Sequence, residues 1–93
     1  MKKLADLLIE YSEKIAIIEP IIDWGNAYEL KHRMEYVAKR IYNEQYDLNN
    51  FYKSDFHLKS PQGEVWEHLD YNYPEFKEIG DKIKNELDKL KHH

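Results

Sequence analysis

The strongest helical signal in the chain is carried by residues 74–91, PEFKEIGDKIKNELDKLK. The apolar residues of this stretch recur at spacings of three and four, and they are Phe76, Ile79, Ile83, Leu87 and Leu90. Such spacing places them along one side of an α-helix. Acidic Glu75 and Glu78 come first and basic Lys89 and Lys91 come last, which suits the helix dipole. The stretch therefore predicts an amphipathic helix that needs apolar partners elsewhere in the chain.

A shorter helix is predicted directly before this one. Ser60 followed by Pro61 indicates a helix start, with the serine as N-cap and the proline in the first helical position. We expect this helix to span residues 61–70. Its predicted inward-facing side chains are Val65, Trp66 and Leu69. Residues 72–74, Asn-Tyr-Pro, then turn the chain towards the last helix.

Residues 2–18 predict another amphipathic helix, with an unusually wide apolar arc. Its main stripe consists of Leu4, Leu8, Tyr11, Ile15 and Ile18. A second strip beside the first consists of Ala5, Ile9, Ser12 and Ala16. Such an arc predicts either a helix packed between two neighbours or a contact with another copy of the chain. A homodimer through the first helix is therefore one alternative.

A second helix is predicted after Pro20, which ends the first. Its start is open between Pro20, Asp23 and Asn26, because each suits a helix N-terminus. We expect the helix to end near Tyr46. Its core stripe consists of Ala27, Leu30, Met34, Val37 and Ile41. The predicted ion pairs on its flanks are Glu29 with Arg33, Glu35 with Lys39, and Arg40 with Glu44.

Together these segments predict an all-α fold, a small bundle of three to four helices with one packed loop. The loop corresponds to residues 47–59, whose aromatic residues would be unfavourable in water and are expected to fold over the bundle. A length of 93 residues suits one compact domain, so a single helical domain is predicted over 1–93. The chain has no cysteine, which excludes disulfides and thiolate metal sites.

The charge pattern excludes a strong general attraction to polyanions. The formal net charge is -4, and residues of both signs are interspersed. Acidic residues interrupt the first helix where a secretory signal would be apolar, and no apolar run approaches the roughly 20 residues that span a bilayer. We therefore expect a cytoplasmic protein without membrane contact. Abundant Lys, Ile, Asn and Tyr suggest an AT-rich coding sequence, typical of a low-GC bacterium, a phage or a mobile element. His92 and His93 are left out of the functional reasoning, since they can belong to a tag.

Three arrangements of acidic residues and histidine are candidates for metal or acid–base sites. Glu29 and His32 have the Glu-x-x-His spacing of carboxylate-bridged di-iron bundles, but the nearest second match, Glu64, Glu67 and His68, has another order. Glu64 and His68, four apart on the short helix, can also hold an imidazole for proton transfer, as can Asp55 and His57. No nucleophile motif, phosphate-binding glycine loop or oxyanion loop accompanies them. The sequence therefore predicts no cofactor, no metal and no enzyme, and a small metal-dependent or acid–base enzyme is kept as an alternative.

Basic and aromatic residues cluster on the second helix. Basic residues interleaved with tyrosine can bind phosphate and stack on bases, so a nucleic-acid-associated accessory protein is a further alternative. The three cations of this helix nearest Tyr36, which are Arg33, Lys39 and Arg40, each have an acid one turn away. We therefore do not expect nucleic acid to be the partner.

The aromatic residues favour a role in protein interaction. The chain contains eight Tyr and two Trp, which is more than a thin core can enclose, and aromatics with Arg dominate the energetics of protein interfaces. The sequence therefore predicts a non-catalytic interaction module, a small regulator, inhibitor or accessory protein with a protein partner. The predicted partner-binding residues are Trp24, Tyr28, His32, Arg33, Tyr36, Lys39 and Arg40.

Overall fold

The structure, a computed structural model, describes residues 2–18, 25–45 and 61–91. Within these ranges the chain forms four helices and no strand. The helices are α1 (Lys2–Ile18), α2 (Gly25–Tyr42), α3 (Pro61–Asn72) and α4 (Pro74–Lys91). The predicted all-α bundle is confirmed, with α1 and α4 at the predicted bounds. The predicted packed loop at 47–59 lies outside the described residues.

The four helices form a ring in which neighbours run in opposite directions. Helix α1 packs against α2 and α4, and α3 packs against the same two helices from the other side. The Tyr42 hydroxyl near the end of α2 donates to Asp6 near the start of α1. Lys3 at the start of α1 pairs with Glu86 near the end of α4, at 3.3 Å. Only Tyr73 separates α3 from α4, so the chain reverses sharply there. This is the up-down-up-down order of a four-helix bundle.

The core contains the apolar stripes that the sequence predicts. Its largest fully buried side chain is Tyr11 on α1. The Tyr11 ring meets Phe76 edge-on, with ring centroids 5.0 Å apart, and Trp66 in the same manner at 6.2 Å. The remaining predicted core residues with described side chains are also buried, apart from Ile18, which packs against the core while partly exposed.

The second apolar strip of α1 lies mostly inside this bundle. Ala5 and Ser12 are buried, Ile9 is partly buried against the core, and Ala16 is exposed. The Ser12 hydroxyl donates to the Ile9 carbonyl oxygen at 2.7 Å, so its polar atom is satisfied within the helix. Of the two alternatives for the wide arc, packing between two neighbours accounts for these three residues.

The end of α2 differs from the prediction. The helix ends at Tyr42 rather than near Tyr46, because the next residues turn back and cap it. The Gln45 amide donates to the Arg40 carbonyl, five residues back, and the Glu44 amide donates to the Ile41 carbonyl. Glu44 has φ of 56°, the left-handed conformation that usually belongs to glycine at this position. The predicted Arg40–Glu44 ion pair is wrong for the same reason, since this turn redirects the Glu44 side chain.

Helix α3 is longer than predicted and reaches Asn72 instead of residue 70. The Asn72 side-chain amide donates to the His68 carbonyl at 2.8 Å, which satisfies one of the carbonyls at the helix end. The Tyr73 amide donates to the Leu69 carbonyl of α3, and the Tyr73 carbonyl accepts from the Phe76 amide of α4, both at 3.0 Å, so this one residue links the two helices.

Candidate interaction surface

The predicted partner-binding residues with described side chains lie together on the outer side of α2. We call them the α2 face, and they are Tyr28, His32, Arg33, Tyr36, Lys39 and Arg40. At about 100° per residue they occupy a continuous arc of roughly 140° on the helical wheel. The core stripe of α2 lies on the opposite side. The seventh predicted residue, Trp24, lies outside the described residues.

Two tyrosines of this face are half-exposed. Tyr28 keeps 50% and Tyr36 keeps 49% of its surface in contact with solvent. Of the six described tyrosines, only Tyr11 is fully buried, and Tyr42 and Tyr71 are also exposed. The described part of the chain thus has more large rings than its core encloses, which was the premise of the sequence interpretation.

Two arginines flank the Tyr36 ring. The guanidinium carbons of Arg33 and Arg40 each lie 5.6 Å from the ring centroid, within the range of cation–π attraction. Arg40 also donates from Nη1 to the Tyr36 hydroxyl at 2.9 Å and from Nη2 to the Gln45 carbonyl at 3.0 Å. These contacts hold the Arg40 guanidinium in place at the surface. The arrangement combines a flat apolar ring with two positive charges.

The other end of the face is also built from paired side chains. The Tyr28 and His32 rings meet edge to face, with centroids 4.2 Å apart. Glu35 lies beside this pair, and its carboxylate accepts from Lys31 at 2.8 Å and lies 3.9 Å from His32. The predicted Glu35–Lys39 pair is therefore wrong, because Glu35 turns towards the preceding turn of the helix. Lys39 is exposed and makes no ion pair with the described residues.

A buried polar group joins α1, α3 and α4, and the sequence interpretation missed it. The Tyr11 hydroxyl donates to Asp70 Oδ1 at 2.6 Å, and Lys84 Nζ donates to Asp70 Oδ2 at 3.2 Å. Asp70 is only 6% exposed. Burial raises the pKa of the Asp70 carboxyl, while the hydrogen bonds from Tyr11 and Lys84 oppose that rise. Burial, together with the bond to Asp70, also raises the pKa of the Tyr11 phenol.

A glycine makes room for this carboxylate. A Cβ atom added to Gly80 on α4 would lie 2.1 Å from Asp70 Oδ2. Spacing of four residues on its own helix favours a pair of Lys84 with Asp88, but Lys84 pairs with Asp70 instead. A glycine within an otherwise strongly helical stretch was the available signal for a close helix contact. Tyr11, Asp70 and Lys84 lie on three different helices, so we assign their contacts a role in helix packing.

The residues considered for metal binding do not converge. Glu29 and His32 are both exposed. Among the residues that the structure describes, no three His, Asp or Glu side chains come close enough to hold a metal ion. The acid and histidine at positions 55 and 57 lie outside these residues, as does the Glu64 side chain.

A shallow cleft lies at the C-terminal end of α1. It has a cavity volume of about 100 Å³ and is lined by Lys14, Ile17, Ile18, Glu75 and Phe76. Ile17 is 73% exposed at its rim.

No helix within the described ranges is long and apolar enough to span a bilayer.

Comparison of the chain with models of known protein families, with curated proteins and with solved structures finds no match.

Proposed function

We propose that this protein is a non-catalytic interaction module, a small regulator, inhibitor or accessory protein that docks onto a protein partner through the α2 face. The observation that carries the proposal is the half-exposed Tyr36 ring, which both Arg33 and Arg40 contact. Tyrosine and arginine are the residue types that contribute most to binding energy at protein interfaces. Rings and guanidinium groups that already contact each other lose less conformational entropy on binding than free side chains do.

The location of the face on the bundle also supports docking. The opposite side of α2 holds the core residues Leu30, Met34 and Val37, all fully buried. The backbone under the face is therefore anchored by packing, and the exposed side chains are presented on a rigid helix. A partner would meet a surface whose shape is set before binding, as in helix-mediated recognition.

The test is capture of a partner from cells that naturally contain the protein, followed by mass spectrometry. The bait variant Tyr28→Ala/Tyr36→Ala removes two half-exposed rings from the α2 face. The matched control, Ile17→Ala/Tyr71→Ala, removes two exposed large side chains elsewhere on the bundle. We expect one partner that the native protein and the control both capture and that the α2 variant loses, with the helical circular dichroism of all three alike. Equal capture by both variants would contradict docking through α2.

Two further predictions belong to this proposal. Self-association through α1 would have to use residues that the bundle leaves exposed, and Ala16 and Ile17 are the apolar ones. Sedimentation velocity of the native protein and of Ile17→Asp measures this, since a dimer through α1 would dissociate in the variant. A cytoplasmic site of action, and an origin in a phage or mobile element, stay predictions from the sequence.

A further inference from the structure

We propose that a second copy of this chain binds at the cleft between the end of α1 and the start of α4. In this contact Ile17 of each copy covers the cleft of the other, and Lys14 of each copy pairs with Glu75 of the other. Such a contact leaves the α2 face open and is independent of docking there. The exposure of Ile17, the size of the cleft and the two charges beside it support this dimer.

Ile17 is the only large aliphatic side chain that is exposed in the described part of the chain, and 73% of its surface meets solvent. The other large exposed hydrophobic residues there are tyrosines, whose hydroxyl groups can bond to water. Ile17 has no polar atom in its side chain, and removing apolar area from water is favourable in proportion to that area. A contact that covers Ile17 on both copies therefore stabilises association.

The cleft beside Ile17 has room for one small aliphatic group. Its volume is about 100 Å³, and Ile17, Ile18 and Phe76 supply its apolar lining. A benzene ring occupies a cavity of about 150 Å³, so a branched aliphatic group suits this cleft better than a ring does. In a two-fold contact the same surface of both copies must supply the projecting group and the space for it. Ile17 at the rim and the cleft beside it meet that condition.

The two charged residues of the cleft have opposite signs and lie on different helices. Lys14 is on α1 and Glu75 is on α4. Neither makes an ion pair with the residues that the structure describes. Two-fold symmetry allows Lys14 of one copy to face Glu75 of the other, and the reverse pair then forms as well. Two ion pairs would therefore flank the two isoleucines.

The charge of this patch favours a second copy over a partner of one dominant charge. The chain has a formal net charge of -4, so two copies repel each other in most orientations. Lys14 and Glu75 cancel, so this repulsion is absent where the two clefts meet. A strongly basic partner would repel Lys14 and a strongly acidic partner would repel Glu75, whereas an identical surface complements both.

The contact is small, so the dimer should be weak. Interfaces that bury less than about 1,200 Å² belong to weak and transient complexes. We therefore expect monomers at low micromolar concentration and dimers as the concentration approaches about 1 mM. The patch lies on α1 and α4, so loss of the dimer should leave capture through the α2 face unchanged.

The test is sedimentation equilibrium of the full chain at concentrations from about 10 µM to 1 mM. The average mass of the native protein should rise from that of one chain towards that of two. Ile17→Asp should stay monomeric over the same range, because it places two carboxylates in the contact. Circular dichroism of each variant shows whether the helices are retained.

Charge exchange tests the pairing of Lys14 with Glu75. Lys14→Glu alone and Glu75→Lys alone each place like charges opposite one another, so each should weaken dimerisation at least roughly tenfold. An equimolar mixture of the two variants should form dimers again, because both acidic positions of one variant then face lysines of the other. An ion pair within one copy could not give this restoration. The matched controls Lys2→Glu and Glu67→Lys make the same changes in net charge at exposed positions outside the cleft, and they should dimerise as the native chain does.

Four results would overturn the proposal. These are a native protein that stays monomeric at about 1 mM, charge variants that dimerise as well as the native protein, a mixture of the two that stays monomeric, and controls that lose the dimer. Dimers that persist in Ile17→Asp and are lost in Tyr28→Ala/Tyr36→Ala would also overturn it, and would place the second copy on the α2 face. The first four results leave docking through the α2 face intact, since cellular capture tests Tyr28 and Tyr36 separately.

Discussion

Gly80→Ala is expected to destabilise this protein, although the same change within most helices is stabilising. The added Cβ would lie 2.1 Å from Asp70 Oδ2, whereas ordinary van der Waals contact begins at 3.4 Å. The carboxylate would therefore have to withdraw by roughly 1.3 Å, given the close packing of protein interiors. That movement stretches the 2.6 Å bond from the Tyr11 hydroxyl beyond hydrogen-bonding range.

The magnitude follows from three contributions. Loss of a buried hydrogen bond to a charged acceptor costs about 1.5–3 kcal/mol. Loss of the Lys84 contact adds roughly 0.5 kcal/mol, since that ammonium is partly exposed. Replacing glycine by alanine in a helix raises the free energy of unfolding by about 1 kcal/mol, which offsets part of this loss. We therefore expect Gly80→Ala to lower the free energy of unfolding by about 1–2.5 kcal/mol, a large share of the stability of a domain this small.

The assay is urea unfolding followed by far-ultraviolet circular dichroism, for a double-mutant cycle of Gly80→Ala with Asp70→Ala. In the Asp70→Ala background the carboxylate is gone, so Gly80→Ala should stabilise by about 0.5–1 kcal/mol through helix propensity. Asn85→Ala, at an exposed position of the same helix, serves as the control and should be neutral or slightly stabilising. A coupling energy below about 0.5 kcal/mol, or a stabilising Gly80→Ala in the native background, would refute the close contact with Asp70.

Three other changes are predicted. Glu44→Gly should raise the free energy of unfolding by about 0.5–1 kcal/mol in urea titrations, because Glu44 has φ of 56° and glycine adopts that conformation without strain. The control Glu44→Ala should give no such gain, since alanine also has a Cβ atom. Burial raises the pKa of Asp70, so the folded state binds its proton more tightly than the unfolded state does. The free energy of unfolding of the native protein, relative to that of Asp70→Asn, should therefore rise as the pH falls from 7 to about 4, which is the pKa of an unfolded Asp. Urea titrations across this range measure it, and a relative stability that falls as the pH falls would contradict the raised pKa. Tyr42→Phe removes the hydroxyl that donates to Asp6 and should lower stability by about 0.5–1 kcal/mol in thermal melts, while Tyr71→Phe, at an 88% exposed ring, should change nothing.

The fold could be predicted where local signals agree with one another. Helix α4 has a proline start, acidic residues first, basic residues last and one apolar stripe, and both of its ends were predicted correctly. The end of α2 could not be predicted, because its cap has Glu44 in a left-handed conformation for which sequence patterns expect glycine. Glu44 and Gln45 beyond Tyr42 are good helix formers, so propensity favoured a longer helix.

The α2 face could be predicted because it is local. Its residues lie within 13 positions of one helix, and helical spacing alone sets which of them share a side. The buried contact of Tyr11 with Asp70 spans 59 positions, and Lys84 lies 14 positions from Asp70. No periodicity in one sequence relates positions so far apart, so a local pairing of Lys84 with Asp88 was the available prediction.

The two kinds of interaction in this bundle have different locations, and this bears on how the α2 face could work. Directional buried contacts join α1, α3 and α4 at Asp70, and these fix the orientation of the three helices. The buried residues of α2 with described side chains are all apolar, and the bond from Tyr42 to Asp6 of α1 is exposed, so the buried packing of α2 depends on shape and area. Substitutions on the outer side of α2 therefore leave the polar contacts that determine the fold intact. A binding surface placed on α2 can change its partner specificity while the rest of the bundle keeps its structure.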